Sequence, residues 1–309
     1  MGDRRSSAFE PGAIPDRSAA AASTGDDSSD RVATADSGAL DPSDAPDPAA
    51  ERERIRTFLA DEVAAANAAG LVVNMSGGLD STVTAALAVE ALGADRVYGL
   101  ILPCNKIGAP HARDAEALAD ALGIDHDTVH LQPLFAQFGA VAPDRFDLHD
   151  EPVRSGNAIA RLRMAMAYLA ANATDRLVCG TTNRSERLLG YVTKHGDGAA
   201  DLLPLGHLYK TEVRALAAEL DVPEFVVEKP PTAGFLPGQR DADDLGASYE
   251  AIDAVLRLGV DRGLDAEAVA ERLTGDVDVS AETVADLLAR HRATAHKRTT
   301  PPMPADRGN

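Results

Sequence analysis

The mostly apolar run Leu71 to Met75 leads directly into Ser76-Gly77-Gly78-Leu79-Asp80-Ser81, and from Thr82 to Leu92 apolar residues recur at helical spacing. A buried strand, a glycine turn and a helix, in that order, predict a parallel strand whose carboxyl end meets a helix N-terminus. Glycines at such a turn let the backbone approach an anion, the serine hydroxyls and free amides can bond its oxygens, and the helix end adds about half a positive charge. The turn lacks the Gly-Lys-Ser ending of a Walker loop. It reads as a phosphate-binding turn of another kind.

The rest of the chain repeats the alternation. Ile55, Phe58, Leu59 and Val63 predict a helix near Glu51, and strands are expected at Val97 to Leu102, Thr128 to Leu131 and Arg176 to Cys179. Helices are expected at Ala112 to Leu122, Asn157 to Ala171 and Thr211 to Leu220. This predicts an α/β fold, a doubly wound parallel sheet with helices on both faces, with ligands beyond the carboxyl ends of the strands. Lys229 to Gly246, with three prolines and three glycines, reads as a long loop, and short helices from Ser248 to Ala295 form a small helical C-terminal part. The expected organisation is a disordered acidic tail over 1–47, one domain over 48–302 and a short tail over 303–309.

Charge narrows the function. The formal charge of -19 repels nucleic-acid phosphates and anionic lipid, so no nucleic-acid partner is expected. Lysine occurs only at Lys106, Lys194, Lys210, Lys229 and Lys297, so arginine supplies nearly all positive charge. Salt adaptation accounts for such acidity, because in molar salt the Debye length falls to about 3 Å and dense carboxylates stop repelling one another. Cys104 and Cys179 offer neither a disulfide framework nor zinc spacing, which fits a reducing cytoplasm. No apolar run is long enough to span a membrane. Met1-Gly2 with Ser6, and Arg4-Arg5, match lipidation and export patterns only by chance.

The SGGxDS turn resembles that of the PP-loop ATP pyrophosphatases, which cleave ATP to AMP and pyrophosphate. Four further segments resemble NAD synthetases in order and spacing: GNAIARLRM at 156–164, GTTNRSERLLGYVTKHGDGAADLLPLGHLYK at 180–210, KPPTAG at 229–234 and HKRTTPP at 296–302. The resemblance implies that Asn74, Met75, Ser76, Gly77, Gly78, Leu79, Asp80, Ser81, Thr181, Lys210 and Thr232 bind ATP. It implies that Asp80 and Glu186 hold Mg²⁺, which suits two carboxylates and phosphate oxygens. Arg161, Lys194, Asp201, His296 and Lys297 would bind deamido-NAD⁺, the substrate that ammonia converts to the amide.

Four of the five lysines fall inside these segments, which surface solvation does not explain. Lys229 is either a phosphate ligand or part of a mobile loop. Arg161 sits among Ala160, Leu162 and Met164 on a helix expected to be mostly buried, where a charge needs an anion or a partner. Asp197, in a Gly-Asp-Gly turn after His195, would hold ammonium or orient substrate, or simply bond its own backbone. Lys210 and Asp197 are the candidate catalytic residues. Where the family commonly reads PTADL this chain has Pro231-Thr232-Ala233-Gly234-Phe235, and Ala242 replaces a usual glutamate, so loop contacts there stay unassigned. No segment resembles a glutamine amidase, which implies free ammonia as the nitrogen source. The family resemblance also implies a homodimer.

Overall fold

The computed structural model describes residues 45–104, 108–148, 151–232 and 240–304, without the side chains of 108 and 109. The tail expected over 1–47 and the Gly234-Phe235 departure therefore fall almost entirely outside the described residues.

Four strands form one parallel sheet in the order β3-β2-β1-β4: β1 Gly70–Asn74, β2 Val97–Ile101, β3 Asp125–Thr128 and β4 Arg176–Cys179. β1 pairs with both β2 and β4, so the strand leading into the glycine turn lies inside the sheet. Its alternate side chains serve two cores. Leu71 and Val73 pack with α1 (Pro48–Ala65), α2 (Leu79–Leu92) and α3 (Gly108–Leu122), while Val72 packs with α5 (Pro152–Thr174), which follows α4 (Gln132–Val141). Helices on both faces of a parallel sheet are what the alternation predicted.

Two boundaries differ from expectation. The third strand occupies Asp125–Thr128 rather than Thr128 to Leu131. Among the described residues it pairs only with β2, and an edge strand needs backbone partners more than apolar side chains. α2 begins at Leu79, so Leu79, Asp80 and Ser81 stand in its first turn and Gly78 caps it.

After β4 come α6 (Arg184–Leu189), α7 (Lys210–Glu219) and α8 (Glu224–Val227). The stretch expected to be an unbroken loop contains α9 (Asp241–Leu245). α10 (Tyr249–Leu256), α11 (Ala266–Leu273) and α12 (Ala281–Ala293) close the fold as a second core, in which Tyr209, Ile252, Val269 and Val284 meet. Among the described residues no helix is long and apolar enough to cross a membrane.

Candidate active site

Beyond the carboxyl ends of β1, β2 and β4 lies a cavity of about 320 Å³. The glycine turn forms one wall. Gly77 has φ 71°, in the left-handed region, and a Cβ there would meet the His111 carbonyl oxygen at 2.5 Å, so only glycine fits. The Ser76 and Ser81 hydroxyls lie 3.1 Å apart, and Ser81 Oγ also takes the Ser76 N–H at 3.2 Å. The serines thus tie the turn to the helix that follows. Asn74, at the end of β1, lines the cavity, and its buried Oδ1 has no hydrogen-bond partner among the described residues. An orphaned buried acceptor costs roughly 1 to 3 kcal/mol, which a bound ligand can offset.

Lys210 opens α7 and is only 3% exposed. Its ammonium donates to Asp80 Oδ2 and lies 3.8 Å from Glu186 Oε1. Burial works against this charge, but Asp80 and Glu186 outweigh it and hold the ammonium protonated. Glu186 is raised well above the usual carboxylate range, first by burial and then by Asp80. Asn183 caps α6 and joins the carboxylates: its Oδ1 accepts from Glu186 N–H at 3.0 Å, and its Nδ2 donates to Asp80 Oδ1 at 3.1 Å.

Sequence reading missed a third carboxylate here. Asp241 is 4% exposed, accepts from Tyr191 at 3.2 Å and Tyr249 at 2.9 Å, and raises the Lys210 pKa. In the sequence it stands in the stretch that reads as a long loop, whose contacts stay unassigned.

Lys229 also reaches the turn. Its Nζ donates to Gly77 O at 3.0 Å and to Asp114 at 2.6 Å, which holds it against the glycine turn. Thr181 and Thr232 line the same cavity.

Asp197 lines the cavity with part of its surface exposed, and desolvation pushes its carboxyl up, opposed by the N–H bond it accepts from Thr193 at 2.8 Å. Its own carbonyl accepts from Thr182 Oγ1 at 3.0 Å, so the turn is fixed at both ends. His195 is exposed at φ 61° and does not line the cavity.

The residues expected to bind the dinucleotide do not line the cavity. Arg161 corrects an expectation: it is exposed, and its Nε donates to the Lys194 carbonyl at 3.2 Å. The buried positions of α5 are Gly156, Ile159, Ala160, Met164, Ala167 and Ala171, and helical spacing brings position 163, not 161, to that face. Arg163 accordingly lines the cavity.

Lys297 Nζ donates to the Gly190 and Val192 carbonyls at 2.7 and 2.8 Å, and its pKa is lowered by burial, then by Arg290, with Arg161 also contributing. Arg161, Lys194 and Lys297 therefore gather into an island of positive charge, with His296 exposed beside Lys297. Asp201 stands apart. Its oxygens accept from the Tyr168 hydroxyl at 3.2 Å and the Val178 N–H at 2.8 Å, along the outer edge of β4.

The chain is similar to known proteins over most of its length. The family profile of NAD synthase matches residues 51–301. The NH(3)-dependent NAD(+) synthetase of Halobacterium salinarum is 46% identical over 257 residues, covering 83% of this chain and 93% of that one. Among solved structures, the NMN synthetase of Francisella tularensis superposes with a TM-score of 0.72 at 35% identity, covering 84% and 99% of the two chains. The NH3-dependent NAD synthetase of Campylobacter jejuni does so at 0.68 and 28%, with the same coverage. With its parallel sheet, its SGGLDS turn and a profile match across nearly all the described residues, the chain belongs to the NAD synthase family of ligases.

Proposed function

We propose that the chain is an ammonia-dependent NAD⁺ synthetase. The nicotinate carboxylate of deamido-NAD⁺ attacks the α-phosphate of ATP, pyrophosphate leaves, and ammonia displaces AMP from the acyl-adenylate. The observation that carries this reading is the Lys210 ammonium, buried between Asp80 and Glu186 beside the glycine turn. A fixed cation there stabilises negative charge as it builds on the departing pyrophosphate. The turn amides and the α2 N-terminus hold the phosphates.

Asp80, Glu186 and Asp241 outnumber the one ammonium among them, and that donor set fits a hard cation. Among the described residues no three His, Cys, Asp or Glu side chains form a metal cluster, so Mg²⁺ would be held by Asp80 and Glu186 with phosphate oxygens and water. It would supply charge neutralisation to the triphosphate. Asp197 would draw ammonium into the cavity and take a proton as nitrogen attacks. Arg161, Lys194, His296 and Lys297 would receive the dinucleotide, with Asp201 contributing from its separate place at the edge of β4.

Incubating the protein with deamido-NAD⁺, ATP, Mg²⁺ and ammonium should yield NAD⁺, AMP and pyrophosphate in equal amounts. ADP as the nucleotide product would overturn the adenylate route. The likeness to the Francisella tularensis NMN synthetase favours a second reading, in which the deamidated mononucleotide is the acid used. Comparing kcat/KM for the two acids decides between them.

We further infer a cytoplasmic homodimer from a salt-adapted source. Phe138, Val141, Phe146 and Val153 are exposed apolar side chains on or beside α4 and the start of α5, and a second copy would cover them. The two free cysteines are buried and suit a reducing compartment.

A further inference from the structure

Arg163 is a half-buried cation, desolvated where it lines the cavity and without an anion. Its Nε donates to the Leu102 carbonyl at 3.1 Å, and among the described residues no carboxylate lies within ion-pair distance of it. A guanidinium carries five donors in a planar fork, so one carbonyl leaves most of them unused. Burying such a charge is unfavourable unless it is paired. A purely structural tie between α5 and the end of β2 would not require a charge at all.

The fold places this cation opposite the phosphate wall. α5 packs on the sheet face that receives Val72 and Val178, whereas α2, with the glycine turn at its head, packs on the face that receives Leu71 and Val73. Arg163 and the turn therefore approach the cavity from opposite sides of the sheet, and both line it. Lys210 and Lys229 serve the phosphate side. On the other side Asp197 is the neighbouring carboxylate, close enough for its charge to act on Arg163. An anionic acid bound next to Asp197 would be repelled unless a cation stood with it.

We propose that the Arg163 fork receives the carboxylate that is to be amidated, and thereby distinguishes the acid substrate from the amide product. A carboxylate accepts two parallel N–H bonds from a guanidinium, whereas a neutral carboxamide offers one acceptor oxygen and an NH₂ that faces donors. Amidation thus removes the partner of a half-buried charge, and the product leaves a site that held the substrate well. This rests on the proposed amidation of an acid by the same site.

The test compares affinities for the two species. In wild type, Arg163→Gln and Arg163→Lys, the dissociation constants of deamido-NAD⁺ and NAD⁺ are measured by calorimetry without ATP, alongside melting temperature. Arg163→Gln should weaken the acid about tenfold or more while changing the amide by no more than about threefold. Arg163→Lys, which keeps charge but not the fork, should fall between and serves if the glutamine variant does not fold. Equal weakening of acid and amide would make Arg163 structural, and unchanged affinity for both would remove it from the acid site. Either overturns the proposal. Failure of the wild-type protein to amidate any acid would instead overturn the functional reading, so the two failures are distinguishable.

Discussion

Asn183 Nδ2 donates to Asp80 Oδ1 across 3.1 Å, joining the first turn of α2 to the start of α6 through residues 103 positions apart. Because Asn183 also caps α6 and fixes Glu186, one amide sets the spacing of both carboxylates. Asn183→Ala should lower stability by about 1 to 2 kcal/mol through loss of the cap. It should also cut kcat beyond that, as Asp80 loses a partner. Asp80→Asn and Glu186→Gln should keep the fold and cut kcat severely, and Lys210→Ala should lower kcat more than KM for ATP. Steady-state kinetics beside melting curves check each variant, and near-normal turnover in any of them removes that residue from the site.

Asp201 separates two roles. Its bonds to Val178 N–H and Tyr168 place it in the structure of the sheet edge, whereas the family resemblance assigns it to substrate. Asp201→Ala should lower the melting temperature, with a loss of roughly 1 to 3 kcal/mol for the orphaned N–H. A raised KM for deamido-NAD⁺ at unchanged melting temperature would return it to the substrate site alone.

Asp253 gives a stability prediction with a sign. It is 2% exposed, accepts from Ser185 Oγ and from Thr211 N–H at 2.9 Å, and burial nonetheless pushes its carboxyl up to about 6. A carboxyl whose folded pKa lies above its unfolded value of about 4 favours folding when protonated, so its contribution is lost as pH rises from about 4 to 6. The effect is on the order of 3 kcal/mol. Urea melts of wild type and Asp253→Asn across that window should differ in slope, the wild type losing relative stability toward pH 6. Parallel curves would show that Asp253 does not titrate there.

Cys104 and Cys179 are both buried, and burial pushes the Cys179 thiol up to about 12, far from a usable thiolate at neutral pH. The double variant Cys104→Ala/Cys179→Ala should keep its turnover with ammonium, and glutamine should support no reaction. Glutamine-dependent NAD⁺ from the purified protein would contradict this.

Stability should fall when KCl is lowered from molar to about 0.1 M, because the Debye length grows to about 10 Å and the carboxylates of a chain with charge -19 repel again. Thermal melts across that range provide the check, and a salt-independent melting temperature would sink salt adaptation.

What could be read in the sequence follows from how local each signal is. The β1-turn-α2 unit is contiguous, and its apolar period changes where strand gives way to helix, so it could be read directly. Glu186 and Lys210 stood out because their segments match a family and because lysine is scarce. β3 was placed late because Asp125–Thr128 is polar. α4 went unread since Leu134 and Phe138 stay exposed and no buried face marks it. Asp241, Asn183 and Arg163 owe their roles to partners far along the chain. Only helical phase in α5 hinted at one of them.

The outer side of β4 is not left open. Gly180 N–H donates to Leu202 O at 2.8 Å, Asp201 N–H to Val178 O at 3.0 Å, and the Asp201 carboxylate takes the Val178 N–H that a neighbouring strand would otherwise seek. Acidic proteins ordinarily keep exposed strand edges from templating one another by mutual repulsion, and added electrolyte removes that defence. Here the edge is closed by covalently continuous chain, so resistance to edge-to-edge aggregation at that strand does not depend on ionic strength.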